Sequence, residues 1–536
     1  MNTPSTSGAD VMIVGAGPTG LVLALWLTRL GIRVRIIDKT SAPGTTSRAL
    51  AVQARTLEFY RQMGLADAVV ARGRKIASVN LWVAGRHVTH APFGDFGVGL
   101  SPYPYALIYP QDEHEQLLID RLAKQGVAVE RRTELISFED AGESVRAHLR
   151  CADGSDESCE VAYLAGCDGA RSVVREALRI GFPGGTYAHL FYVADIEGGG
   201  PAINGDIHVA LDRNDFLALF PLKDDGRARL VGTIRAEAER HHEHLSWDDV
   251  SKRVISWMRI EVARVNWFST YQVHHRVANQ FRKGRVFLLG DAAHIHSPVG
   301  GQGMNTGIGD AVNLAWKLAS VLRKRAPATV LDSYEPERIA FARELVATTD
   351  QAFVGVTSPR PWARFLRLHL VPAILPSLFK SAAVRHFLFR RVSQIVVNYR
   401  GSSLSHGRAG AVHGGDRLPW IEPDENSADN FELLSSLQWQ IHVYGTASPE
   451  LRVLSATRGL PLHVFPWRPE MGRAGLQRNA VYLVRPDAYV ALPDADGRGI
   501  QSRRTSTAIN WGLPHSSESS LHIHRARMGC DTGWRP

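Results

Sequence analysis

The sequence predicts an α/β fold in which a parallel nucleotide-binding domain is interrupted by an antiparallel sheet and followed by a smaller C-terminal α/β region. Three observations support this fold class. Val11–Val14 is a short apolar run typical of a buried parallel strand, and a glycine-rich turn and an apolar helix follow it. Between residues 187 and 270, short alternating segments indicate antiparallel strands. A buried strand and a second glycine-rich segment return at residues 285–305, so the first domain resumes after the insertion.

The first glycine-rich turn has the spacing G-x-G-x-x-G at Gly15, Gly17 and Gly20. Gly15 permits the tight turn, Gly17 lets the backbone approach a pyrophosphate, and Gly20 lets helix and strand pack closely. Asp38 ends the next strand, where a carboxylate accepts hydrogen bonds from a ribose. The strand, the helix and the terminal acid together predict a Rossmann-like dinucleotide site. Its predicted contacts are Gly15, Ala16, Gly17, Pro18, Thr19, Gly20, Asp38 and Lys39.

The composition limits the classes of protein that the chain can belong to. The 536 residues suffice for two to four domains, and 44% hydrophobic and 21% charged residues are ordinary for a globular protein. The polar N-terminus does not resemble a signal peptide, and no apolar run is long enough to span a membrane. The cysteines show neither a C-x-x-C pair nor metal-ligand spacing, so we expect reduced thiols, no metal and a cytoplasmic location. They are Cys151, Cys159, Cys167 and Cys530.

The net charge of +9 is concentrated in one part of the chain. Residues 351–415 contain nine Lys or Arg and no Asp or Glu. A nucleic-acid or membrane-surface partner would fit such a segment. We favour a solvated helical face, or partners for acidic side chains elsewhere in the fold, and expect no nucleic-acid binding.

The changes of pattern along the chain define the expected domains. The tail is rich in Ser, Arg, Gly and His and has no apolar periodicity, so we expect it to be poorly ordered. We expect a discontinuous nucleotide-binding domain at 8–78, 105–185 and 275–350, an antiparallel substrate-binding domain at 79–104 and 186–274, a helical basic segment at 351–410, a C-terminal domain at 411–492 and the tail at 493–536.

Two carboxylate–glycine pairs lie at predicted strand ends. Asp168 and Gly169 follow one strand, although such a pair alone is common in ordinary turns. Gly290 and Asp291 follow another and lead into the glycine-rich segment Pro298 to Asn305 at the start of a long helix. The N-terminus of such a helix stabilises negative charge.

At these residues the chain resembles the FAD-dependent aromatic hydroxylases, the single-component flavoprotein monooxygenases typified by para-hydroxybenzoate hydroxylase. It is most similar to the longer phenol hydroxylase and pentachlorophenol monooxygenase type, over residues 10 to about 491. The three motifs occur in the family's order: Gly15 to Gly20 for ADP, Asp168-Gly169 for FAD and NAD(P)H, and Gly290-Asp291 for the ribityl–ribose region. The resemblance further implies FAD contacts at Arg48, Gln111, Pro298, Gly303, Met304 and Asn305.

The resemblance implies an NAD(P)H-dependent monooxygenase with non-covalently bound FAD. The single G-x-G-x-x-G argues against the disulfide-reductase type of flavoenzyme, which has a second dinucleotide fold. In the implied reaction, NAD(P)H reduces FAD, and O2 forms a flavin C4a-hydroperoxide that hydroxylates a phenolic or polycyclic aromatic substrate. The amides of Gly303 to Asn305 are suited to stabilise the reduced flavin. Residues 411–492 would form a thioredoxin-like domain without redox activity, because a C-x-x-C pair is missing. A homodimer is the candidate assembly.

Several questions stay open at this stage. The catalytic acid or base is unknown, and His294, His296, Arg213 and Tyr192 are candidates by placement only. A Baeyer–Villiger or N-hydroxylating enzyme acting on a polyketide-like substrate is an alternative, because the same scaffold supports such chemistry. A flavin-dependent halogenase is disfavoured by the missing W-x-W-x-I-P motif, and a non-catalytic FAD-binding protein by the complete motif set.

Overall fold

The computed structural model confirms a mixed α/β architecture. It describes residues 8–44, 49–94, 96–212, 215–234, 245–297, 299–357, 360–425 and 428–497. Within these residues, no helix is both long enough and apolar enough to cross a membrane.

The parallel sheet of the first domain is assembled from distant parts of the chain. Its strand order is Arg282–Lys283, Val286–Leu288, Tyr163–Gly166, Val11–Val14, Val34–Asp38 and Val129–Arg131. Every pairing is parallel except that of the edge strand Arg282–Lys283. Tyr163–Gly166 pairs directly with Val286–Leu288 although the large sheet lies between them in sequence. The parallel domain is therefore interrupted, as the sequence predicts.

Helices and two small sheets complete this domain. The Pro18–Arg29 helix packs against both Gln111–Ala123 and Gly303–Leu322. The shorter helices are Ala54–Gln62, Ala66–Arg72 and Val173–Ala177. One small sheet contains Glu134–Asp140, Val145–Arg150 and Asp156–Val161, and the other contains Ala51–Val52, Leu107–Ile108 and Arg74–Lys75.

The large sheet has eight strands and one departure from the prediction. Its strand order is His294–Ile295, Glu261–Val277, Gly184–Gly199, Arg227–Thr233, Phe216–Pro221, Ile207–Leu211, Ser78–Val83 and Arg86–Pro92. All pairings are antiparallel except that of Ile207–Leu211 with Ser78–Val83, which is parallel. The expectation of a wholly antiparallel sheet is wrong at this point, because a hairpin from an earlier part of the chain joins the sheet there. The Lys252–Trp257 helix covers one face of the sheet.

The basic segment is helical only in its first part. The helices after residue 333 are Tyr334–Thr357, Pro361–Phe365, the π-helical turn Leu366–Leu370, Val371–Leu378 and Ala382–Val392. Beyond Val392 the chain runs without a helix to the short strands Arg408–Ala409 and Val412–His413.

The C-terminal sheet has the order Val412–His413, Arg408–Ala409, Val490–Asp494, Val481–Val484, Gln440–Tyr444 and Leu462–Phe465. The Pro449–Arg458 helix joins the two parallel strands Gln440–Tyr444 and Leu462–Phe465, and Pro469–Arg473 follows. The strand Val490–Asp494 contains the first two residues of the expected tail. The rest of that tail, from residue 498, lies outside the described residues.

Candidate active site

The G-x-G-x-x-G turn has the close contacts that its spacing predicts. Gly15 has a φ of +104°, and a Cβ there would lie 2.3 Å from the carbonyl oxygen of Cys167. A Cβ on Gly20 would lie 2.0 Å from the carbonyl oxygen of Gly15. By contrast, a Cβ on Gly17 would meet no described atom within 4 Å. Gly15 and Gly20 are thus required by packing, whereas Gly17 borders open space.

The helix that follows this turn has an N-terminus suited to an anion. Pro18–Arg29 begins after Gly17 without a side-chain cap, and its first turn contains no acidic residue. Its first N–H groups therefore lack intrahelical partners and lie at the positive end of the helix dipole. Together with the open space beside Gly17, this arrangement fits a pyrophosphate.

A cavity of about 200 Å³ adjoins this helix N-terminus. Asp38 Oδ2 accepts a hydrogen bond from the Ala16 amide at 2.8 Å, and Arg131 Nη1 lies 3.7 Å from Asp38 Oδ1. The cavity is lined by Ala16, Gly17, Asp38, Thr40, Gly44, Gln111, Glu115 and Arg131. The structure thus brings the predicted residues Asp38 and Gln111 together, whereas Lys39 is exposed and does not line the cavity.

Sequence reasoning missed Arg131 and Glu115. Arg131 pairs with Asp38 in the parallel sheet, but only the strand register shows this. Glu115 accepts a hydrogen bond from Gln111 at 2.7 Å, one helical turn away. That i, i+4 spacing was the available signal.

The Asp168-Gly169 motif lies against the glycine turn. A Cβ on Gly15 would lie 3.0 Å from the Asp168 Cα. Asp168 Oδ2 accepts a hydrogen bond from the Val174 amide at 3.1 Å, whereas Oδ1 is buried without a hydrogen-bond partner among the described residues. Burial raises the pKa of Asp168. An orphaned, buried carboxylate oxygen at this place fits a donor group of a bound cofactor.

The Gly290-Asp291 motif contacts the first motif through Thr19. Gly290 has a φ of +58°, and a Cβ there would lie 2.7 Å from Thr19 Oγ1. A Cβ on Gly307, in the long helix, would lie 2.3 Å from the same oxygen. Asp291 lies in the short 3-10 turn Gly290–Ala292 and its side chain is exposed. Two motifs that are far apart in sequence therefore border one site.

The second glycine-rich segment leads into the Gly303–Leu322 helix. Gly300 and Gly301 have φ values of 78° and 61°, and the first turn of the helix contains no acidic residue. The amides of Gly303, Met304 and Asn305 have no intrahelical partner, because they belong to the first turn. This start of the helix is therefore a second place where negative charge is stabilised. Pro298 and Arg48 lie outside the described residues.

The Asn305 side chain has a structural part in this arrangement. Its Oδ1 accepts hydrogen bonds from the Gln53 amide at 2.9 Å and from Thr56 Oγ1 at 2.8 Å. Its Nδ2 donates to the carbonyls of Ala51 at 2.9 Å and Gly301 at 2.8 Å. The side chain thus holds the glycine-rich segment in place, which leaves the backbone amide as the group of Asn305 that is suited to the predicted cofactor contact.

Two of the residues considered as catalytic candidates have structural partners. His294 Nε2 lies 2.7 Å from Asp310 Oδ2, and both side chains are buried. Tyr192 packs with Trp247 and Phe268, on the face of the large sheet that the Lys252–Trp257 helix covers. Arg213 lies outside the described residues.

His296 has a different environment. Its Nδ1 lies 2.8 Å from the Ser297 carbonyl oxygen, and its Nε2 is buried without a partner among the described residues. A Cβ on Gly303 would lie 3.7 Å from this Nε2, so the ring is next to the start of the long helix. Burial lowers the pKa of His296 to about 4.

The other face of the large sheet is rich in aromatic side chains. Phe191 lies opposite Tyr271 on the neighbouring strand, and Phe216 packs in the same cluster. Phe220 and Ala51 both pack against the small cluster of Leu50, Ile76, Ala106 and Ile108. A Cβ on Gly301 would lie 2.7 Å from the Ala51 Cβ. We call these four rings (Phe191, Phe216, Phe220 and Tyr271) the aromatic face. This small cluster links Phe220 of the aromatic face to Ala51 beside the glycine-rich segment, so apolar side chains lie near the site.

Comparison with known proteins agrees with this geometry. Residues 8–349 match the family described as FAD binding domain. The chain is 35% identical over 522 residues to 6-methylpretetramide 4-monooxygenase of Streptomyces rimosus, covering 91% of each chain. It is 31% identical to pentachlorophenol 4-monooxygenase of Sphingobium chlorophenolicum, covering 79% of this chain and 78% of that one. The solved structure of the anhydrotetracycline hydroxylase OxyS from Streptomyces rimosus superposes with a TM-score of 0.74 at 28% identity, covering 94% of this chain and 99% of that one.

The fold and the site define an FAD-binding oxidoreductase. The chain belongs to the FAD-dependent aromatic hydroxylases, the flavoprotein monooxygenases that use NAD(P)H as co-substrate.

Proposed function

We propose that this hydroxylase acts on a polycyclic phenol rather than on a single ring. The aromatic face carries this proposal, because its rings lie on three strands of the large sheet and the half-buried Phe216, Phe220 and Tyr271 offer an apolar surface near the glycine-rich segment. The names of the tetracycline-type relatives support it. OxyS is named a hydroxylase, which favours hydroxylation over the Baeyer–Villiger or N-hydroxylating alternative.

The residues of the three motifs have distinct parts in the proposal. Bound FAD supplies electron transfer from NAD(P)H and the activation of O2 for transfer of one oxygen atom to an electron-rich ring. We assign the turn Gly15 to Gly20 to the pyrophosphate, Asp38 with Arg131 to the adenosine ribose, and Asp291 to the ribityl chain. The free amides of residues 303–305 would lie along the edge of the ring system that becomes negative on reduction.

His296 is the proposed hydrogen-bond acceptor for the substrate hydroxyl. A carbonyl oxygen only accepts hydrogen bonds, so the Nδ1 that faces the Ser297 carbonyl must carry the proton. This leaves Nε2 with a lone pair, and a pKa near 4 keeps the ring neutral at pH 7. A phenol that donates to Nε2 gains electron density on its ring, which favours attack by an electrophilic oxygen.

Replacement of His296 tests this assignment. His296→Gln should lower kcat about 100-fold, in line with the loss of a proton acceptor, with FAD content unchanged. His148→Gln, at an exposed histidine of the Val145–Arg150 strand, is the matched control and should leave kcat unchanged. The apparent pKa in the pH profile of kcat should also shift toward the pKa of the substrate phenol. An unchanged kcat and pH profile in His296→Gln would refute the role.

Substrate-dependent NAD(P)H oxidation tests the function itself. The purified protein should be yellow, oxidise NAD(P)H slowly alone, and oxidise it much faster with tetracyclic phenols, with hydroxylated product matching NAD(P)H consumed. Stopped-flow reduction of FAD with and without that substrate measures the acceleration directly, because a substrate shifts a conformational equilibrium only if it binds the two states unequally. Stimulation by monocyclic phenols alone would refute the polycyclic substrate while leaving the hydroxylase class intact.

We also propose that the C-terminal domain is thioredoxin-like. Two parallel strands joined by a helix, followed by two antiparallel strands, support this assignment. The domain boundaries, the homodimer and the cytoplasmic location stay predictions from the sequence.

A further inference from the structure

The helical segment from residue 361 to 378 carries an exposed apolar stripe. Trp362 and Phe365 are each 61% exposed, and the other members are aliphatic side chains with more than a third of their surface exposed. The stripe consists of Trp362, Phe365, Leu370, Val371, Ile374 and Leu378. A run of large apolar side chains on a surface marks an interaction site rather than a chance exposure.

The helix geometry aligns these side chains. Trp362 and Phe365 are three residues apart, and Leu370, Ile374 and Leu378 follow at intervals of four. The remaining interval, from Phe365 to Leu370, is five residues and coincides with the π-helical turn Leu366–Leu370. Because hydrogen bonds in a π-turn span five residues where those of an α-helix span four, the turn accommodates the extra residue and keeps the two halves of the stripe on one side.

The stripe borders the side of the segment that packs on the protein. Leu368 and Leu375 face the large sheet and pack with Leu81, Val83 and Leu211. The segment therefore uses Leu368 and Leu375 in the fold and leaves the adjoining stripe exposed. The outer side is the one that a partner would bury.

The charge around the stripe selects the partner. Residues 351–415 contain nine basic residues and no acidic residue, so this segment of the chain carries a net positive charge. Arg391 pairs with Glu344, and Arg400 pairs with Asp416. These two pairs agree with the interpretation that basic residues of the segment are partners for acidic side chains elsewhere in the fold. Lys380 and Arg390 are exposed and have no acidic partner within the described part of the chain.

We propose that the stripe docks this enzyme on an anionic lipid surface. A helix with large apolar side chains on one side and basic residues nearby lies in the interfacial plane of a bilayer, with the apolar side inserted and the basic groups near the lipid phosphates. A second copy of the chain fits less well, because a two-fold contact through this segment would place one basic run against another. The proposal does not depend on the identity of the substrate.

Vesicle co-sedimentation of the FAD-loaded enzyme tests the proposal. At 0.1 M NaCl, the wild-type enzyme should bind vesicles of equal phosphatidylglycerol and phosphatidylcholine about tenfold more strongly than vesicles of phosphatidylcholine alone. At 0.5 M NaCl the difference should shrink, because salt screens the attraction. Lys380→Gln with Arg390→Gln should weaken binding to the anionic vesicles only.

The stripe itself is tested by Ile374→Gln with Leu378→Gln, which changes no charge. This variant should bind anionic vesicles about tenfold more weakly than the wild type, with FAD absorbance and thermal midpoint unchanged. Val453→Gln is the matched control, because Val453 is 66% exposed on the Pro449–Arg458 helix of the C-terminal domain. Its binding should equal that of the wild type.

Three results would overturn the proposal. The first is a wild-type enzyme that does not sediment with the anionic vesicles. The second is a stripe variant that binds as strongly as the wild type. The third is a wild-type dimer that the stripe variant converts to a monomer in size-exclusion chromatography, since the stripe would then be a contact between copies.

Discussion

Replacement of Glu337 by Gln should strongly destabilise the protein. The Glu337 carboxylate is fully buried and accepts five hydrogen bonds within 3.0 Å. The donors are Lys317 and Asn313 in the long helix and Arg485 (twice) and Ser402 toward the C-terminus. Burial alone would raise the pKa of Glu337, but Arg485 and Lys317 outweigh it and hold that pKa well below its usual range. The carboxylate therefore attaches the C-terminal domain to the nucleotide-binding domain as an anion.

The magnitude follows from what remains after the substitution. Glu337→Gln leaves Lys317 without its carboxylate, whereas Arg485 keeps Asp487 at 2.6 Å. Removal of one partner from a buried ion pair costs about 3–5 kcal/mol of unfolding free energy. At about 2 °C per kcal/mol for a large domain, the thermal midpoint should fall by about 6–10 °C.

The assay is thermal unfolding followed by circular dichroism and by release of flavin fluorescence. Glu344→Gln is the control on the same helix, because the Glu344 side chain is exposed and forms a surface ion pair of 3.3 Å with Arg391. Exposed pairs contribute at most about 1 kcal/mol, so its midpoint should change by about 2 °C or less. Since the folded pKa of Glu337 is depressed, its stabilisation is present above the unfolded pKa and is lost as pH falls toward the folded value. The difference between wild type and Glu337→Gln should therefore shrink as pH falls below about 5. Equal midpoints for the two variants would refute the reasoning.

Three further predictions concern the cofactor site and the chain end. Gly17→Ala should leave the thermal midpoint of the apoprotein unchanged but weaken FAD binding, measured by titration, at least tenfold. Gly20→Ala should instead destabilise the apoprotein, because its Cβ would lie 2.0 Å from the Gly15 carbonyl oxygen. Similar thermal midpoints for the two apoprotein variants would contradict this prediction. Asp291→Ala should lose most of its FAD while circular dichroism shows a folded protein, because a carboxylate acceptor for sugar hydroxyls is removed; full FAD occupancy would count against the assignment. Truncation after Gly497 should preserve FAD content and the thermal midpoint. Truncation before Pro493 should lower the thermal midpoint, because it removes two residues of the Val490–Asp494 strand. Equal midpoints for the two truncated proteins would show that the end of this strand adds no stability.

Local patterns made the nucleotide-binding unit predictable from the sequence. The strand Val11–Val14, the three glycines and Asp38 lie within 28 residues, and their order and spacing are a local pattern that the sequence shows directly. The interruption of the domain was also predictable, because alternation at period two replaces continuous apolar runs where the large sheet begins. The parallel pairing of Ile207–Leu211 with Ser78–Val83 was not, because strand order leaves no periodic signal in either strand.

Tertiary structure alone decided how the site is held together. Asn305 contacts Gln53 across 252 residues, and Arg485 contacts Glu337 across 148. Each of these side chains could as well have faced solvent, since neither spacing nor residue type identifies a partner so far away. The sequence by itself therefore determined the motifs that we predict to bind the cofactor. The fold decided which buried polar groups hold those motifs together, because such a group is stable only where distant segments supply all of its hydrogen-bond partners at once.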